Sequence, residues 1–234
     1  MWSCELSENS INVFFRSKLR GEYPLIQEPY CRQCASPNTT TEDCTSHGRC
    51  YGFERAFAMG LYLPSRGDPG SLGWNDLLSK HIRGLKQYPR YSVPLGLGLS
   101  LCINKVFTDL QKMDLIVPVP KFPTELKKVS ADGEERTYNQ AMEVSKVISM
   151  NTGIAYADAL KKVRAQKMRG LTQDERWAAV NGLYQINDNF DINGKKIILS
   201  DDVFTTGATL SECSNILIEQ GAQNVNVLVA GRDS

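Results

Sequence analysis

The rhythm of apolar and polar positions changes along the chain. Residues 1 to about 30 show no clear period, and residues 31–50 are polar and rich in cysteine. Residues 53–63, FERAFAMGLYL, are dense in apolar side chains and predict one or two strands. Over 74–88 the residues Trp74, Leu77, Leu78, Ile82 and Leu85 fall on one face of a helix, and Pro89 ends it. A second helix is expected over about 93–111, with Pro94 in its first turn and Gly96 and Gly98 weakening it.

From residue 114 the pattern becomes one of strands and helices in turn. DLIVPVP (114–120) is a short β-branched run that suits a buried parallel strand. Residues 121–138 are polar, carry both charges and read as a loop. Ala141, Val144, Val147 and Ile148 mark a helix that Asn139 can cap. Residues 153–163 predict a strand and its turn. Thr172 and Glu175 form a capping box for a helix over about 173–181. KKIILSDDV is a strand, 208–220 a helix with Leu210, Cys213, Ile216 and Leu217 inward and Gly221 as its stop, and 224–231 the last strand. Strand–helix units in series predict an α/β fold, a mainly parallel sheet flanked by helices. The expected division is an N-terminal segment with a Cys-rich module (1–60), a helical region (61–112) and a core (113–234).

Composition narrows this picture. The chain has 234 residues and is 41% hydrophobic, enough for one good-sized domain with a small accessory module. The net charge of +1 gives no global field for nucleic acid, and the stretch Lys161, Lys162, Arg164, Lys167, Arg169 reads as a solvated face. No apolar run approaches the roughly 20 residues of a membrane span, and the first residues lack a secretory pattern, so a cytoplasmic protein is expected. Seven cysteines suggest metal more than disulfides in that compartment. Cys31 and Cys34 have the C-x2-C spacing of a metal knuckle, with Cys44 and Cys50 in reach. The expected site is a structural zinc held by Cys31, Cys34, Cys44 and Cys50, with His47 the main substitute for Cys44. Cys213 is expected in a helix core, and His81 to pack or face solvent.

The sharpest chemical signal is IILSDDVFTTGATL. Asp201 and Asp202 end a strand, where open α/β sheets bind ligands. The next residues, Thr205, Thr206, Gly207, Ala208 and Thr209, lead into a helix N-terminus, which offers free N–H groups to an anion. Three hydroxyls add donors, and Gly207 lets the backbone approach closely. The carboxylates suit a cis-diol and the loop a phosphate, so a ribose 5-phosphate group satisfies both. A Walker loop needs a Gly-rich loop with Lys before Ser/Thr, and a haloacid-dehalogenase-type site needs a second Asp two residues on; neither is present. A capped helix after an acidic turn explains neither the pair of acids nor the threonines.

This segment resembles the phosphoribosyl pyrophosphate (PRPP) signature of type I phosphoribosyltransferases. The resemblance implies that Asp201 and Asp202 bind the ribose hydroxyls and that Thr205, Thr206, Gly207, Ala208 and Thr209 bind the 5′-phosphate. DLIVPVP, RTYNQA (136–141) and ERWAAVNGLY (175–184) are similar to segments of the ComF subgroup, which carries an N-terminal zinc module. Thr137 stands where those chains have Gly, and Ala179 where they usually have Asn. By the same resemblance Val119, Pro120 and Lys121 form a pyrophosphate loop, and 121–138, with Lys127, Lys128 and Arg136, a lid. The implied function is transfer of a 5-phosphoribosyl group from PRPP, with Mg²⁺, to an unidentified small-molecule acceptor, releasing pyrophosphate. No general base is evident. The rival readings are a non-enzymatic PRPP or nucleotide sensor and an accessory protein handling single-stranded DNA.

Overall fold

The computed structural model describes residues 3–7, 10–16, 26, 28–44, 51–65, 70–131, 134–168 and 170–233. The strands and helices are β1 (Ser3–Ser7), β2 (Ser10–Arg16), β3 (Arg55–Tyr62), α1 (Leu72–Asn75), α2 (Leu77–Leu85), α3 (Ser92–Lys105), β4 (Leu115–Pro118), β5 (Lys127–Ala131), β6 (Glu134–Tyr138), α4 (Gln140–Thr152), β7 (Ala155–Tyr156), β8 (Leu160–Lys162), α5 (Gln173–Val180), β9 (Tyr184–Ile186), β10 (Lys196–Phe204), α6 (Ala208–Glu219) and β11 (Asn224–Asp233). Five strands form the central sheet in the order β3-β11-β10-β4-β7, and every neighbouring pair is parallel. The remaining strands form three two-stranded antiparallel ribbons, β1-β2, β5-β6 and β8-β9.

Alternation along the strands divides the core into two layers. Ile197, Leu199, Val117, Val225, Val227 and Val229 face one side of the sheet, where Leu210, Cys213 and Leu217 of α6 cover them. Ile198, Ile116, Leu228 and Ala230 face the other, under α2, α3 and α4. Because both faces are covered, the central strands are continuously apolar rather than alternating. Burying each such Leu, Ile or Val contributes about 1.5–3 kcal/mol.

Several boundaries differ from the sequence expectation, each for a local reason. The 74–88 helix is split at Asp76, whose extended backbone (φ −64°, ψ 126°) caps α2 and whose carboxylate accepts from Ser79 N at 2.7 Å. Leu78, Ile82 and Leu85 are fully buried as expected, but Trp74 stays behind in α1 and is 42% exposed. α3 stops at Lys105, short of 111, and a 3₁₀ turn (Thr108–Lys112) follows. Gly96, a weak helix former, sits where a Cβ would lie 2.5 Å from the Val147 side chain of α4. Its lost propensity is exchanged for close packing of two helices. Asn139 caps α4 and Thr172–Glu175 caps α5 as the sequence indicates. β3 spans residue 60 and pairs with β11, so chain before and after that point shares one sheet.

Candidate functional site

β10 carries Asp201 and Asp202 to the carboxyl edge of the sheet, and the chain turns through Thr205, Thr206 and Gly207 into α6. Gly207 has φ +79°, and a Cβ there would lie 2.4 Å from the Phe204 ring and 2.6 Å from Tyr51. Both the backbone angle and the space demand glycine. The turn is fixed from outside. Arg232, at the end of β11, donates to the carbonyls of Phe204 and Thr205 at 3.0 Å each. Arg176 of α5 donates to Thr205 Oγ1 at 3.3 Å, and the Tyr51 hydroxyl reaches the Thr206 carbonyl at 3.5 Å. Asp201 accepts from the Asp202 amide at 2.8 Å, while Asp202 Oδ2 lies 3.9 Å from Lys86 Nζ. Burial, and then the neighbouring Asp202 charge, push the Asp201 carboxyl well above its ordinary range, against the pull of the Asp202 amide and Lys121.

The neighbouring strand supplies the facing wall. Ser200 pairs with Pro118, and Val119 N donates to the Ser200 carbonyl at 2.9 Å, which sets Val119, Pro120 and Lys121 beside the acids. Asn139 holds this turn with a 2.8 Å bond from its side-chain amide to the Val119 carbonyl. Between the walls lies a cleft of about 460 Å³, lined among others by Lys86, Val119, Pro120, Lys121, Lys127, Gln140, Lys162, Tyr184, Asp201, Asp202 and Thr209. That size suits a small-molecule ligand. A smaller hollow of about 70 Å³ adjoins it, lined by Thr205, Thr206, Gly207, Ala208, Thr209 and Arg176. Asp201, Thr209 and Met168 border both. Burial draws the Lys121 ammonium below its ordinary range, while Asp202 and Asp201 hold it up.

Of the residues singled out from sequence, the acids and the 119–121 turn therefore meet on one cleft, and the threonine turn lines the hollow that adjoins it. Arg136 lies in β6, and its side chain falls outside the described residues. The 121–138 segment is not a bare loop: a 3₁₀ turn (Pro123–Glu125) leads into the β5-β6 hairpin, which brings Lys127 to the cleft wall. Lys86, Gln140, Lys162, Tyr184 and Arg176 were missed. Lys162 belonged to a stretch read as a solvated helix face. It lies instead on β8, its side chain only 7% exposed, with Nζ donating to both Glu125 oxygens at 2.8 and 2.7 Å. Burial alone would raise the Glu125 carboxyl, but bonds from Lys162, Gln166 and Phe122 prevail and hold it low. Gln140 had a signal, its place in RTYNQA, but no assigned role.

The cysteines form a second cluster. The sulfurs of Cys31, Cys34 and Cys44 lie within 4.8 Å of one another, with Cys34 and Cys44 3.6 Å apart. Four thiolates about 2.3 Å from a tetrahedral zinc stand about 3.8 Å from each other, so this spacing fits the metal. The knuckle is closed by Cys31 N donating to Ser36 O and Ala35 N to Cys31 O, at 2.8 Å each. Burial pushes the Cys34 thiol up to about 12, partly offset by Ser36. Cys50 and His47 lie outside the described residues. Cys213 is fully buried in α6, and His81 packs against Tyr91 with ring centroids 5.1 Å apart. No helix among the described residues is long and apolar enough to cross a membrane.

The chain is thus an α/β protein whose parallel sheet is covered on both faces, with a cleft at the sheet's carboxyl edge. No family model matches the chain. It is 44% identical over 39 residues to a ribose-phosphate pyrophosphokinase of Thermoplasma volcanium, a stretch covering 17% of this chain and 14% of that protein. Among solved structures it is similar to a phosphoribosylpyrophosphate synthetase from Mycobacterium smegmatis (17% identity, 58% of this chain, 33% of that chain, TM-score 0.36). It is also similar to a hypoxanthine phosphoribosyltransferase from Staphylococcus aureus (13% identity, 66% and 73% of the two chains, TM-score 0.35). The chain thus spans well under two thirds of the pyrophosphokinase and the synthetase.

Proposed function

We propose that the protein binds PRPP in this cleft and transfers its 5-phosphoribosyl group to a small-molecule acceptor, releasing pyrophosphate. The observation that carries the reading is the adjoining cleft and hollow: the acids of β10 stand beside the 119–121 turn after β4 in the cleft, and the threonine turn lines the hollow next to it. In this reading the 205–209 turn holds the 5′-phosphate in the smaller hollow, through main-chain N–H groups and threonine hydroxyls. Asp201 and Asp202 accept hydrogen bonds from the ribose hydroxyls. Lys121 and Lys127 lie on the diphosphate side, and closure of the β5-β6 hairpin excludes water that would otherwise hydrolyse the donor. Displacement at C1 passes through an oxocarbenium-like state, as in glycoside hydrolysis. Mg²⁺ would neutralise charge on the leaving diphosphate, and the carboxylates of Asp201 and Asp202 in the cleft suit such a hard cation. The division into a Cys-rich segment to about residue 60, a hood of 61–112 and a core of 113–234 belongs to the same reading, with β3 lent to the core's sheet. Cys31, Cys34, Cys44 and Cys50 hold a structural zinc.

The test is pyrophosphate release from PRPP with Mg²⁺ against a panel of bases and amines, beside thermal unfolding with PRPP. Turnover with one acceptor class is expected. Stabilisation by PRPP without turnover selects the sensing role, and no stabilisation up to millimolar PRPP overturns both. A single-stranded DNA titration over salt, run alongside, reads out the accessory role.

A further inference from the structure

Among the described residues, one buried donor of the cleft has no partner. Gln140, the first residue of α4, is 1% exposed and lines the 460 Å³ cleft. Its Oε1 accepts from the Lys121 ammonium. An ammonium can only donate, so the amide is oriented with Nε2 turned away from Lys121. Nε2 makes no hydrogen bond among the described residues. A buried amide without a partner costs stability, and native chains retain such a group where a ligand supplies the partner.

The surroundings say what kind of partner. Lys121, Lys86 and Lys127 border the same cleft, and the one acid beside them other than Asp201 and Asp202, Glu125, is already bonded to Lys162, so donors and positive charge prevail around Gln140. Gln140 opens α4, so the positive end of that helix's dipole stands at this wall. Asn139 fixes that helix end against the β4 turn, accepting from Ala141 N at 3.0 Å and donating to the Val119 carbonyl. A ligand group facing this wall must be an anion rich in acceptor oxygens. Asp201 and Asp202 stand next to these cations, with Asp202 Oδ2 3.9 Å from Lys86 Nζ, so the same cleft also offers acceptors for the rest of the ligand.

We infer that Gln140 is a ligand-binding residue whose Nε2 donates to an oxygen of the diphosphate, with the N-terminus of α4 and Lys121 completing that subsite. The inference rests on the PRPP reading and extends it by one contact. Gln140 acts in two ways: Oε1 aims the Lys121 ammonium, and Nε2 bonds the anion directly.

A double-mutant cycle separates the two. Binding of Mg²⁺–pyrophosphate and of ribose 5-phosphate is measured by calorimetry in the wild type, Gln140→Met, Lys121→Met and the double variant. In the Lys121→Met background, Gln140→Met should still weaken pyrophosphate by roughly tenfold to a hundredfold, the worth of one hydrogen bond to a charged oxygen. Ribose 5-phosphate affinity should change less than twofold. The thermal midpoint of Gln140→Met in that background should be no lower than that of Lys121→Met alone, because a buried orphan donor has been removed; Gln140→Leu supplies the same comparison if the Met variant fails to fold. If Gln140→Met has no effect once Lys121 is gone, or if ribose 5-phosphate falls equally, the direct contact is overturned. If the wild type binds neither pyrophosphate nor PRPP, the reading beneath it fails instead.

Discussion

Asp201 shows how one side chain couples the site to the solvent. Its folded-state carboxyl titrates near 7 against an ordinary 3.8, because burial and the Asp202 charge both oppose ionisation. A raised acid binds more protons in the folded state than in the unfolded one over that window. Stability contributed by the protonated form is therefore complete below about pH 4 and falls as pH rises through 7. Asp201→Asn should flatten this slope and make the free protein more stable at pH 8, by about 1–3 kcal/mol, in denaturant unfolding at several pH values. The same variant should bind ribose 5-phosphate more weakly. Higher stability with lower affinity is the mark of a group held at a cost for a ligand; equal stability at pH 8 would show that burial does not strain this acid. The acidic pair was legible in sequence because two carboxylates at a strand end have few other uses. Lys162 was not, because its burial comes from Glu125, 37 residues away in sequence; within its own stretch of charges it looks like any solvated cation.

At the scale of elements, helix ends do two kinds of work. Thr172 and Glu175 satisfy the start of α5 reciprocally, at 3.3 and 2.7 Å, on an exposed surface. Asn139 caps α4 from a buried position and also holds the β4 turn through Val119. Thr172→Ala should cost about 1 kcal/mol and leave pyrophosphate binding unchanged. Asn139→Ala should cost about 2–3 kcal/mol and weaken pyrophosphate as well, since a buried carbonyl loses its donor and the turn loosens. Unfolding and calorimetry on the two variants check this, and equal effects on binding would refute the distinction. Both caps could be read in the sequence, since a cap is local. That one of them also holds a neighbouring strand could not, nor could the split at Asp76. There a good N-cap competes with the helical period of 74–88 and wins.

The whole molecule is tied together at Arg232. Its guanidinium bonds the carbonyls of Phe204 and Thr205, while Nε donates to the Cys34 carbonyl at 2.9 Å and Nη2 to Ser36 Oγ at 3.3 Å. It also lies 4.9 Å over the Phe204 ring. One side chain at the end of β11 thus links the cysteine knuckle to the threonine turn. Arg232→Met should lower stability by roughly 2–4 kcal/mol, because several buried carbonyls lose a charged donor. Metal analysis is expected to give about one zinc per chain, lost in Cys31→Ser. Both variants should weaken ribose 5-phosphate binding, and unaltered affinity in either would break the link between knuckle and turn.

The elements and the local chemistry could be read from the residue order: which runs form strands, where most helices are capped, that Asp201, Asp202 and the threonine turn stand together, and that Cys31, Cys34 and Cys44 belong to one cluster. These follow from periodicity, backbone preference and spacing, which act over a few residues. It took the folded chain to bring β3 beside β11 as the edge of the sheet and to carry Lys86, Gln140, Lys162 and Arg232 to the site. Those outcomes depend on the register of parallel strands brought together across long stretches of chain, and on burial that pairs charges far apart in sequence. No local pattern encodes such pairings, because the free energy that selects them comes from packing the whole sheet between its two helical layers.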